Sequence, residues 1–428
     1  MVNCNISYDN NQQGIYFSGQ TLSGAIEITN EKNRSIKGIT LKIEGFAKCK
    51  WTEHEGSGKH RRTIYYKGRE DYISTFSYLI GSYNGEAIDL AEGVHKFNFI
   101  CALPPQLPTS LESKYGYIRY QIKVEVERPW KSDFKFCYAF TVLKPLDLNF
   151  ENQSLKLPLK AEVSKSFFLG FSNKNLYMSA EVPFCGYVSG QSAPVSVSIN
   201  NESGVEVYEI TIELMKIIYY NSDTPRMRTR RREEKVAMTK HQGVPAKKKG
   251  AAMGNLVIPA VPPTNTGTCR TIQVFYEILV TAKTSGMHRN LTVVLPITIG
   301  TVPLLSTYQN IYPALQQDQI QSGWNIQPST SQATYPATQP AYSTLETSYP
   351  SAPVANLNPD LPPPSYQEAM MTTTQEVDNE EGLNDQQAFN PKYPVFNFAN
   401  QAPMPSQALA PPPYSLPPTD TKNEKKPL

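Results

Sequence analysis

Apolar residues in the first 302 positions alternate with polar ones along short stretches, and this period of two is the dominant pattern of the chain. Alternation rich in Ile, Val and Tyr is typical of strands that bury one face of a sheet, and clusters of Gly, Pro, Asn and Ser separate the stretches. No long stretch of helical periodicity competes with them. The sequence therefore predicts an all-β body built as β-sandwiches. The clearest alternating stretches are 39–44, 118–126, 195–199, 210–214, 272–280 and 291–299.

The body contains an internal repeat, which indicates duplication. Residues 18–30, SGQTLSGAIEITN, align without a gap on residues 189–201, SGQSAPVSVSINN, at an offset of 171 positions. At the same offset Ile39-Thr40-Leu41 falls on Ile210-Thr211-Ile212. Later in each half a proline-containing loop precedes a long alternating stretch, and there the offset has shrunk to 154. Two blocks that share one offset in the same order favour duplication over a coincidence of strand composition.

Composition changes sharply after residue 302, and this break divides the chain into a body and a tail. Residues 303–428 hold 4 Lys and Arg against 11 Asp and Glu, together with 21 of the 35 prolines. Residues 1–302 have a net charge of +10. A tail rich in Gln, Ser, Thr and Pro buries too little apolar surface to offset the cost of chain ordering. We predict β-sandwiches over residues 1–148 and 177–304, a linker at 149–176 and a disordered tail at 305–428.

The sequence lacks the signals that direct a chain out of the cytoplasm. Its first residues, MVNCNISYDN, contain no apolar stretch of a secretory signal, and residue 2 is Val rather than the Gly that myristoylation requires. No apolar run approaches the roughly 18 residues that span a bilayer. We therefore expect a cytoplasmic protein. In that reducing compartment the six scattered cysteines are expected to be free thiols that pack as small apolar residues.

Residues for catalysis or metal binding are not grouped along the sequence. Motifs of phosphate-binding loops, dinucleotide folds, zinc proteases and serine hydrolases are missing, and the five histidines are dispersed without metal-ligand spacing. We expect no enzyme activity and no cofactor. Basic charge without a base-reading motif also argues against nucleic-acid binding.

Two proline motifs in the tail are the most specific functional signals. Both have the form PPxY: Pro363, Pro364 and Tyr366 form the first, and Pro411, Pro412 and Tyr414 form the second. Consecutive prolines favour a polyproline II helix, which fits the aromatic-lined groove of a WW domain, and the tyrosine fills a neighbouring pocket. A chance match in a proline-rich tract is the alternative for one copy. Two copies make it improbable, and tandem WW domains could bind both.

Four segments together resemble the α-arrestins, or arrestin domain-containing proteins, of the PPxY-bearing type represented by members 2, 3 and 4. They are YIRY at 117–120 in a strand that runs on to Arg128-Pro129-Trp130, GYVSGQ at 186–191, LPITIGTVPL at 295–304, and the two PPxY motifs. The resemblance implies the arrestin fold, two tandem immunoglobulin-like β-sandwiches followed by a disordered tail.

The resemblance also implies a function. It suggests a cytoplasmic adaptor, peripherally associated with the plasma membrane and endosomes. Such an adaptor recruits WW-domain HECT ubiquitin ligases to receptors or transporters, and promotes their ubiquitination, endocytosis and lysosomal sorting. Two other functions remain open. One is a cargo-sorting scaffold that works without a ligase, against which the PPxY motifs argue. The other is a signalling scaffold for WW proteins of a transcriptional pathway.

Two further tail segments are candidates for binding. Pro350, Ser351, Ala352 and Pro353 form a tetrapeptide that resembles the ligand of the ESCRT-I ubiquitin-binding subunit, with a chance match as the alternative. Residues 389–398 contain four aromatic side chains in ten positions, which is unusual for a disordered tail. Similar aromatic segments occur in α-arrestins. This segment is expected to dock on the body or on a partner.

Two basic loops are candidates for contact with the anionic inner leaflet of a membrane or with acidic and phosphorylated receptor tails. The alternative for each is a solvated hairpin. The sequence shows no recognisable buried charged core, which argues against phosphorylation-gated binding of the kind found in visual and β-arrestins. The basic candidates are Lys59, Arg61 and Arg62 in the first loop, and Arg228, Arg230, Arg231 and Arg232 in the second.

Overall fold

All six alternating stretches form strands in the computed structural model, which describes residues 1–9, 11–169, 172–305, 364–368 and 389–397. The strand Gly116–Glu127 shows most plainly why the alternating pattern corresponds to a strand. From Ile122 onwards its side chains alternate between fully and partly buried positions, with Ile122, Val124 and Val126 inside the core. A strand with one buried face needs this alternation because successive side chains point to opposite sides of a sheet. The prediction of an all-β body is confirmed.

The first sandwich is made of two principal sheets. One has the order β1-β3-β8, and the other has the order β2-β11-β10-β5-β6, with β9 attached to β10. β4 and β7 form a separate pair, and a short 3₁₀ helix, η1 (Gly58–His60), lies between β5 and β6. The strands are β1 (Val2–Tyr8), β2 (Ile15–Phe17), β3 (Thr21–Asn30), β4 (Arg34–Ile36), β5 (Gly38–Glu55), β6 (Arg62–Gly81), β7 (Ile88–Leu90), β8 (Gly93–Ala102), β9 (Leu111–Ser113), β10 (Gly116–Glu127) and β11 (Phe134–Leu143).

The second sandwich repeats this plan. One sheet has the order β12-β13-β15-β18, and the other has the order β14-β20-β19-β16-β17. A second 3₁₀ helix, η2 (Gln153–Lys156), precedes the first strand. The strands are β12 (Leu159–Leu169), β13 (Ser172–Val182), β14 (Gly186–Val188), β15 (Ser192–Asn201), β16 (Val207–Ser222), β17 (Arg228–Val244), β18 (Lys248–Val257), β19 (Ile272–Thr284) and β20 (Leu291–Gly300).

The internal repeat corresponds to equivalent strands in the two sandwiches. β3 and β15 are offset by the predicted 171 residues at both ends, and β2 and β14 both pair in parallel with the last strand of their own sandwich. The later offset differs from the prediction. Tyr120 and Tyr276 are equivalent: each is fully buried and donates its hydroxyl to a proline carbonyl, 2.7 Å from Pro108 and 2.6 Å from Pro262. The offset there is 156 rather than 154, a slip of two residues that keeps every side chain on the same face.

The predicted linker at 149–176 is too long. β12 begins at Leu159, pairs antiparallel with β13 and forms the edge of a sheet of the second sandwich. Ala161 and Val163 pack against the core, while Glu162 between them is exposed. The alternation is therefore present, but residues as small as Ala and Val give it a weak signal. The segment without strands between the two sandwiches runs from 144 to 158.

In the described part of the tail, β21 (Ser365–Glu368) and β22 (Lys392–Val395) form a small sheet. We call these two strands the tail sheet. Residues 306–363, 369–388 and 398–428 lie outside the described residues, so the disorder predicted for the tail stays a prediction there. All six cysteines carry free thiols, and four of them are buried.

Candidate functional site in the docked tail

Residues 389–397, which we call the docked segment, lie against the body. Pro391, Tyr393, Pro394 and Phe396 are all buried, although the sequence around them is that of a polar tail. The segment contains β22, which pairs with the strand that holds Tyr366 of the first PPxY motif. Two features predicted separately from the sequence therefore form one structural unit. Of the two expected locations for the aromatic segment, the body or a partner, the structure shows the body.

Tyr393 anchors the docked segment to the first sandwich. Its ring packs on Ile15 of β2 and Leu143 of β11, and its hydroxyl donates to the carbonyl oxygen of Ser110 at 3.0 Å. Burial raises the pKa of the Tyr393 phenol, and the nearby Glu112 carboxylate adds to the effect. A buried phenol needs such a hydrogen-bond partner because leaving its hydroxyl unpaired would be costly. Tyr393 therefore stays a neutral, hydrogen-bonded anchor across the physiological pH range.

Phe396 connects the same segment to the second sandwich. Its backbone N–H donates to the carbonyl oxygen of Ser189 at 3.0 Å, and its side chain is buried. The adjacent Gly190 has a φ of +89°, and a Cβ built on it would overlap the carbonyl oxygen of Phe396. Position 190 requires glycine for two reasons, which are the left-handed backbone and the close approach of the tail. The docked segment thus contacts both sandwiches.

Tyr366 is partly buried by this arrangement. In the tail sheet Tyr366 lies opposite Pro394, and it packs against the cluster formed by Ile15, Leu143 and Tyr393. The hydroxyl of Ser365 donates to the carbonyl oxygen of Val395 at 3.2 Å. Burial raises the pKa of the Tyr366 phenol. The tyrosine of the first PPxY motif is therefore held in an extended strand against the body.

Several predicted motif residues lie outside the described residues. Pro364 is described and partly buried, whereas Pro363 is not described. The whole second motif and the candidate ESCRT-I tetrapeptide also lie outside the residues that the structure describes. Their predicted roles stay predictions. The residues concerned are Pro411, Pro412, Tyr414, Pro350, Ser351, Ala352 and Pro353.

The second basic loop faces the first sandwich rather than open solvent alone. Arg226 forms an ion pair with Glu55 and donates to the hydroxyl of Tyr66 at 3.1 Å. The Nε atom of Arg228 lies 3.7 Å from a carboxylate oxygen of Glu53. These three partners belong to β5 and β6, so the arginines join the two sandwiches. Sequence reasoning missed this role because the partners are roughly 170 residues apart in the chain.

The arginines further along β17 also have partners. Arg230 stacks its guanidinium 4.0 Å above the ring of Tyr115 and donates to the hydroxyl of the same residue at 2.8 Å. The neighbouring two arginines form ion pairs on their own strand, Arg231 with Glu233 and Arg232 with Glu234. The positive charge of this loop is largely compensated within the protein. It is a weaker candidate for a membrane or receptor surface than its sequence predicts.

The first basic loop has a different environment. Lys59 lies in η1, Arg61 directly follows it, and both Arg61 and Arg62 are exposed at the turn between β5 and β6. Arg62 forms an ion pair with Glu55, with 3.3 Å between the charged atoms. Glu55 is thus shared between this loop and Arg226 of the second sandwich. The two basic loops meet at one acidic residue.

Backbone hydrogen bonds also connect the two sandwiches. The N–H of Lys67 donates to the carbonyl of Thr224 at 2.9 Å, and the N–H of Thr224 donates back at 3.0 Å. Glu70 accepts hydrogen bonds from the N–H groups of Arg270 and Thr271, at 2.8 and 3.2 Å. These paired backbone groups and the partly buried carboxylate of Glu70 make the contact between the sandwiches specific. Each hydrogen bond that is lost would leave a polar group without its protein partner.

Two buried charge clusters lie in the first sandwich, where the sequence had indicated none. Arg119, which is 2% exposed, makes two hydrogen bonds to the carboxylate of Glu112, at 2.5 and 2.9 Å, and stacks over Tyr117. Burial opposes the charge of the guanidinium, but Glu112 outweighs it and raises the pKa of Arg119. The second cluster surrounds Glu44. Buried ion pairs of this kind cannot be recognised in the sequence, because each partner looks like an ordinary polar residue of an alternating strand.

The structure does not group residues for metal chemistry in the part of the chain that it describes. No set of three or more His, Cys, Asp or Glu side chains is arranged there to hold a metal ion. Among the same residues, no helix has the length and apolar character needed to cross a bilayer.

Comparison with known proteins identifies the family. Residues 4–149 match the family described as "Arrestin (or S-antigen), N-terminal domain", and residues 172–304 match its C-terminal counterpart. Arrestin domain-containing protein 17 of Caenorhabditis elegans is 28% identical over 313 residues, 69% of this chain and 70% of that protein. Arrestin domain-containing protein 4 of Mus musculus is 25% identical over 306 residues, 69% of this chain and 71% of that protein. Arrestin domain-containing protein 1 of the same species is 26% identical over 234 residues, 53% of this chain and 52% of that protein. This chain belongs to the arrestin domain-containing, or α-arrestin, family.

Proposed function

We propose that this protein is a non-catalytic adaptor that recruits WW-domain HECT ubiquitin ligases to membrane-protein cargo. The observation that supports it is the pair of PPxY motifs downstream of a two-sandwich arrestin body. The two tyrosines, Tyr366 and Tyr414, are 48 residues apart. Two motifs on one chain can engage tandem WW domains, so the second binding event becomes intramolecular and raises the overall affinity.

The body supplies the other half of this function. It engages a plasma-membrane receptor or transporter, and the tail holds the ligase beside it, so ubiquitin transfer becomes effectively intramolecular. The tail has four lysines, of which Lys392 lies in the tail sheet. Acceptor lysines are therefore expected on the cargo or on the body. The proposed outcome is endocytosis and lysosomal sorting of the cargo, with Pro350–Pro353 as the proposed contact with ESCRT-I.

The proposed location is the cytoplasmic face of the plasma membrane and of endosomes. The net charge of +10 on residues 1–302 supports electrostatic attraction to anionic lipids. Each basic residue near the inner leaflet contributes about 1 kcal/mol. The turn at Lys59–Arg62 is the better candidate for this contact, because the arginines of β17 are engaged within the protein.

The test is a pull-down of full-length protein with tandem WW domains of a HECT ubiquitin ligase. Tyr366→Ala combined with Tyr414→Ala is expected to abolish binding while the thermal midpoint of the body stays within about 2 °C of wild type. Tyr335→Ala with Tyr342→Ala, two tail tyrosines outside the motifs, is the matched control. Undiminished capture by the first double variant would refute the proposal.

Mass spectrometry of proteins bound to the tail separates this function from the others. HECT ligases in the bound fraction, lost in the Tyr366→Ala/Tyr414→Ala variant, are the expected result. Recovery of transcriptional WW proteins without a ligase would favour a signalling scaffold. A bound fraction that contains neither, yet is unchanged by the double variant, would favour ligase-independent cargo sorting.

A further inference from the structure

The tyrosine of the first PPxY motif is held in a conformation that a WW domain does not bind. A WW ligand presents its prolines as a polyproline II helix and inserts the tyrosine ring into a pocket of the domain. Here Tyr366 lies in a strand paired with Lys392–Val395, and it already packs against the cluster formed by Ile15, Leu143 and Tyr393. The backbone and the ring cannot satisfy both partners at once. Binding of a WW domain to this motif therefore requires the tail sheet to open.

We propose that docking of residues 389–397 masks Tyr366 of the first PPxY motif, so that a WW domain binds this motif only when the docked segment is released. This inference rests on the proposed function and concerns the regulation of the same binding site. Release of the docked segment from the body frees Tyr366 for a WW domain. Docking of residues 389–397 on the two sandwiches thus decides whether tandem WW domains can bind with avidity.

The contacts of the docked segment explain why masking depends on it. Tyr366 packs against the cluster that Tyr393 forms with Ile15 and Leu143 of the first sandwich. Tyr393 in turn is held by Ile15, Leu143 and the carbonyl of Ser110. If Tyr393 leaves, the strand β22 that pairs with β21 leaves with it. The masking of Tyr366 is therefore a consequence of the anchoring of Tyr393 and Phe396.

The size of the effect follows from the population of the open state. When only a fraction of molecules has the competent conformation, the apparent dissociation constant rises by the reciprocal of that fraction. A closed state that is populated nine times or more over the open one weakens the first motif by about tenfold or more. Burial of Tyr393 and Phe396, at 1% and 3% exposure, is the interaction that favours the closed state.

The first experiment isolates the masked motif in the full chain. Tyr414→Ala leaves Tyr366 as the PPxY tyrosine, and a single WW domain of a HECT ligase is titrated by calorimetry. Adding Tyr393→Ala and Phe396→Ala to this chain is expected to tighten binding by about tenfold or more. The affinity should then reach that of a synthetic peptide of residues 358–372. Equal affinities with and without the two added substitutions would overturn the masking.

A pair of glycines offers a matched control that leaves every tail residue intact. Gly190 and its repeat equivalent Gly19 have φ values of +89° and +88°, so alanine costs similar backbone strain at both. A Cβ at Gly190 would collide with Phe396, whereas a Cβ at Gly19 would lie 3.7 Å from Pro105 in ordinary contact. In the Tyr414→Ala chain, Gly190→Ala is expected to tighten WW binding and Gly19→Ala to leave it unchanged. Identical affinities for these two variants would also overturn the proposal.

Failure of this inference is distinguishable from failure of the proposed function. If the chain with both Tyr366→Ala and Tyr414→Ala still binds the WW domain, PPxY recruitment itself is wrong. If that chain loses binding but release of the docked segment changes nothing in the Tyr414→Ala chain, recruitment stands and masking is wrong. Hydrogen exchange at residues 365–368 checks that the release variants have opened the tail sheet, and circular dichroism checks that the body is folded.

Discussion

Glu44→Gln, which removes one charge at nearly constant shape, is expected to destabilise the first sandwich at neutral pH and much less in acid. Glu44 lies on β5 and is 5% exposed. Its carboxylate forms ion pairs with Lys42 and Lys123, each at 2.5 Å, and accepts a hydrogen bond from Gln121 at 2.6 Å. Glutamine keeps the size of the side chain but leaves both ammonium groups without their anionic partner.

The magnitude follows from the pKa of the carboxyl group. Burial opposes its ionisation, but hydrogen bonds from Lys123, Lys42 and Gln121 outweigh burial and lower the pKa from 4.5 to about 2. A lowered pKa stabilises the fold above the unfolded value, and this stability is lost as pH falls towards the folded value. The contribution is at most about 3 kcal/mol at pH 7 and roughly 1.5 kcal/mol at pH 3. Solvent around the half-exposed Lys42 reduces these figures.

The assay is denaturant unfolding of wild type and variant between pH 7 and pH 3, followed by tryptophan fluorescence. Trp51 is buried in the same sandwich and stacks on Tyr66, so its emission reports local unfolding. The stability difference between the two proteins should shrink by about half over this range. Glu162→Gln, in an exposed ion pair with Lys160, is the control and should change nothing measurable. A difference that is constant with pH, or close to zero at pH 7, would refute the reasoning.

Two further substitutions test the contact between the sandwiches and the buried ion pair. Gly68→Ala is expected to lower the free energy of unfolding by about 1–3 kcal/mol, because the added methyl would overlap the carbonyl of Asn221 in the other sandwich. A Cβ on Gly267 meets nothing within 4 Å, so Gly267→Ala is the matched control, and equal thermal midpoints for the two variants would contradict the prediction. Glu112→Gln is expected to cost about 3–5 kcal/mol in thermal unfolding, because it leaves the buried guanidinium of Arg119 unpaired. A loss below about 1 kcal/mol would show that this pair contributes no more than an exposed one.

Strands and duplication could be predicted because both depend on local pattern. A strand such as β10 repeats its burial every two residues, so the pattern is visible within a dozen positions. The turns at Gly19 and Gly190 require the same left-handed backbone, and this shared requirement keeps the two copies aligned. The PPxY motifs were visible for a related reason, since a linear ligand is encoded by consecutive residues.

The contacts between distant segments could not be predicted from these patterns. Arg226 and Glu55 are 171 residues apart, and nothing in the sequence near either one indicates the other. Strands β21 and β22 have four residues each, too few for a period to be recognised. The signal present there was complementary charge, because Glu368 lies opposite Lys392 in the pair. The basic run on β17 was misleading for the same reason: its acidic partners are contributed partly by another sandwich.

Docking of the tail also sets how far the second motif can travel. Leu305 is held on the body, where its N–H donates to Asn149 at 2.9 Å, and the last described contact of the tail with the body is at Phe396. A fully extended chain spans at most about 3.6 Å per residue, so Tyr414 is within about 65 Å of Phe396 but could be about 390 Å from Leu305. If a ligase binds at Tyr414 as proposed, the volume accessible to it is smaller by roughly 200-fold when the segment is docked. A docked tail is a short tether that confines the ligase to acceptor lysines close to the body, and an undocked tail extends its range to distant ones.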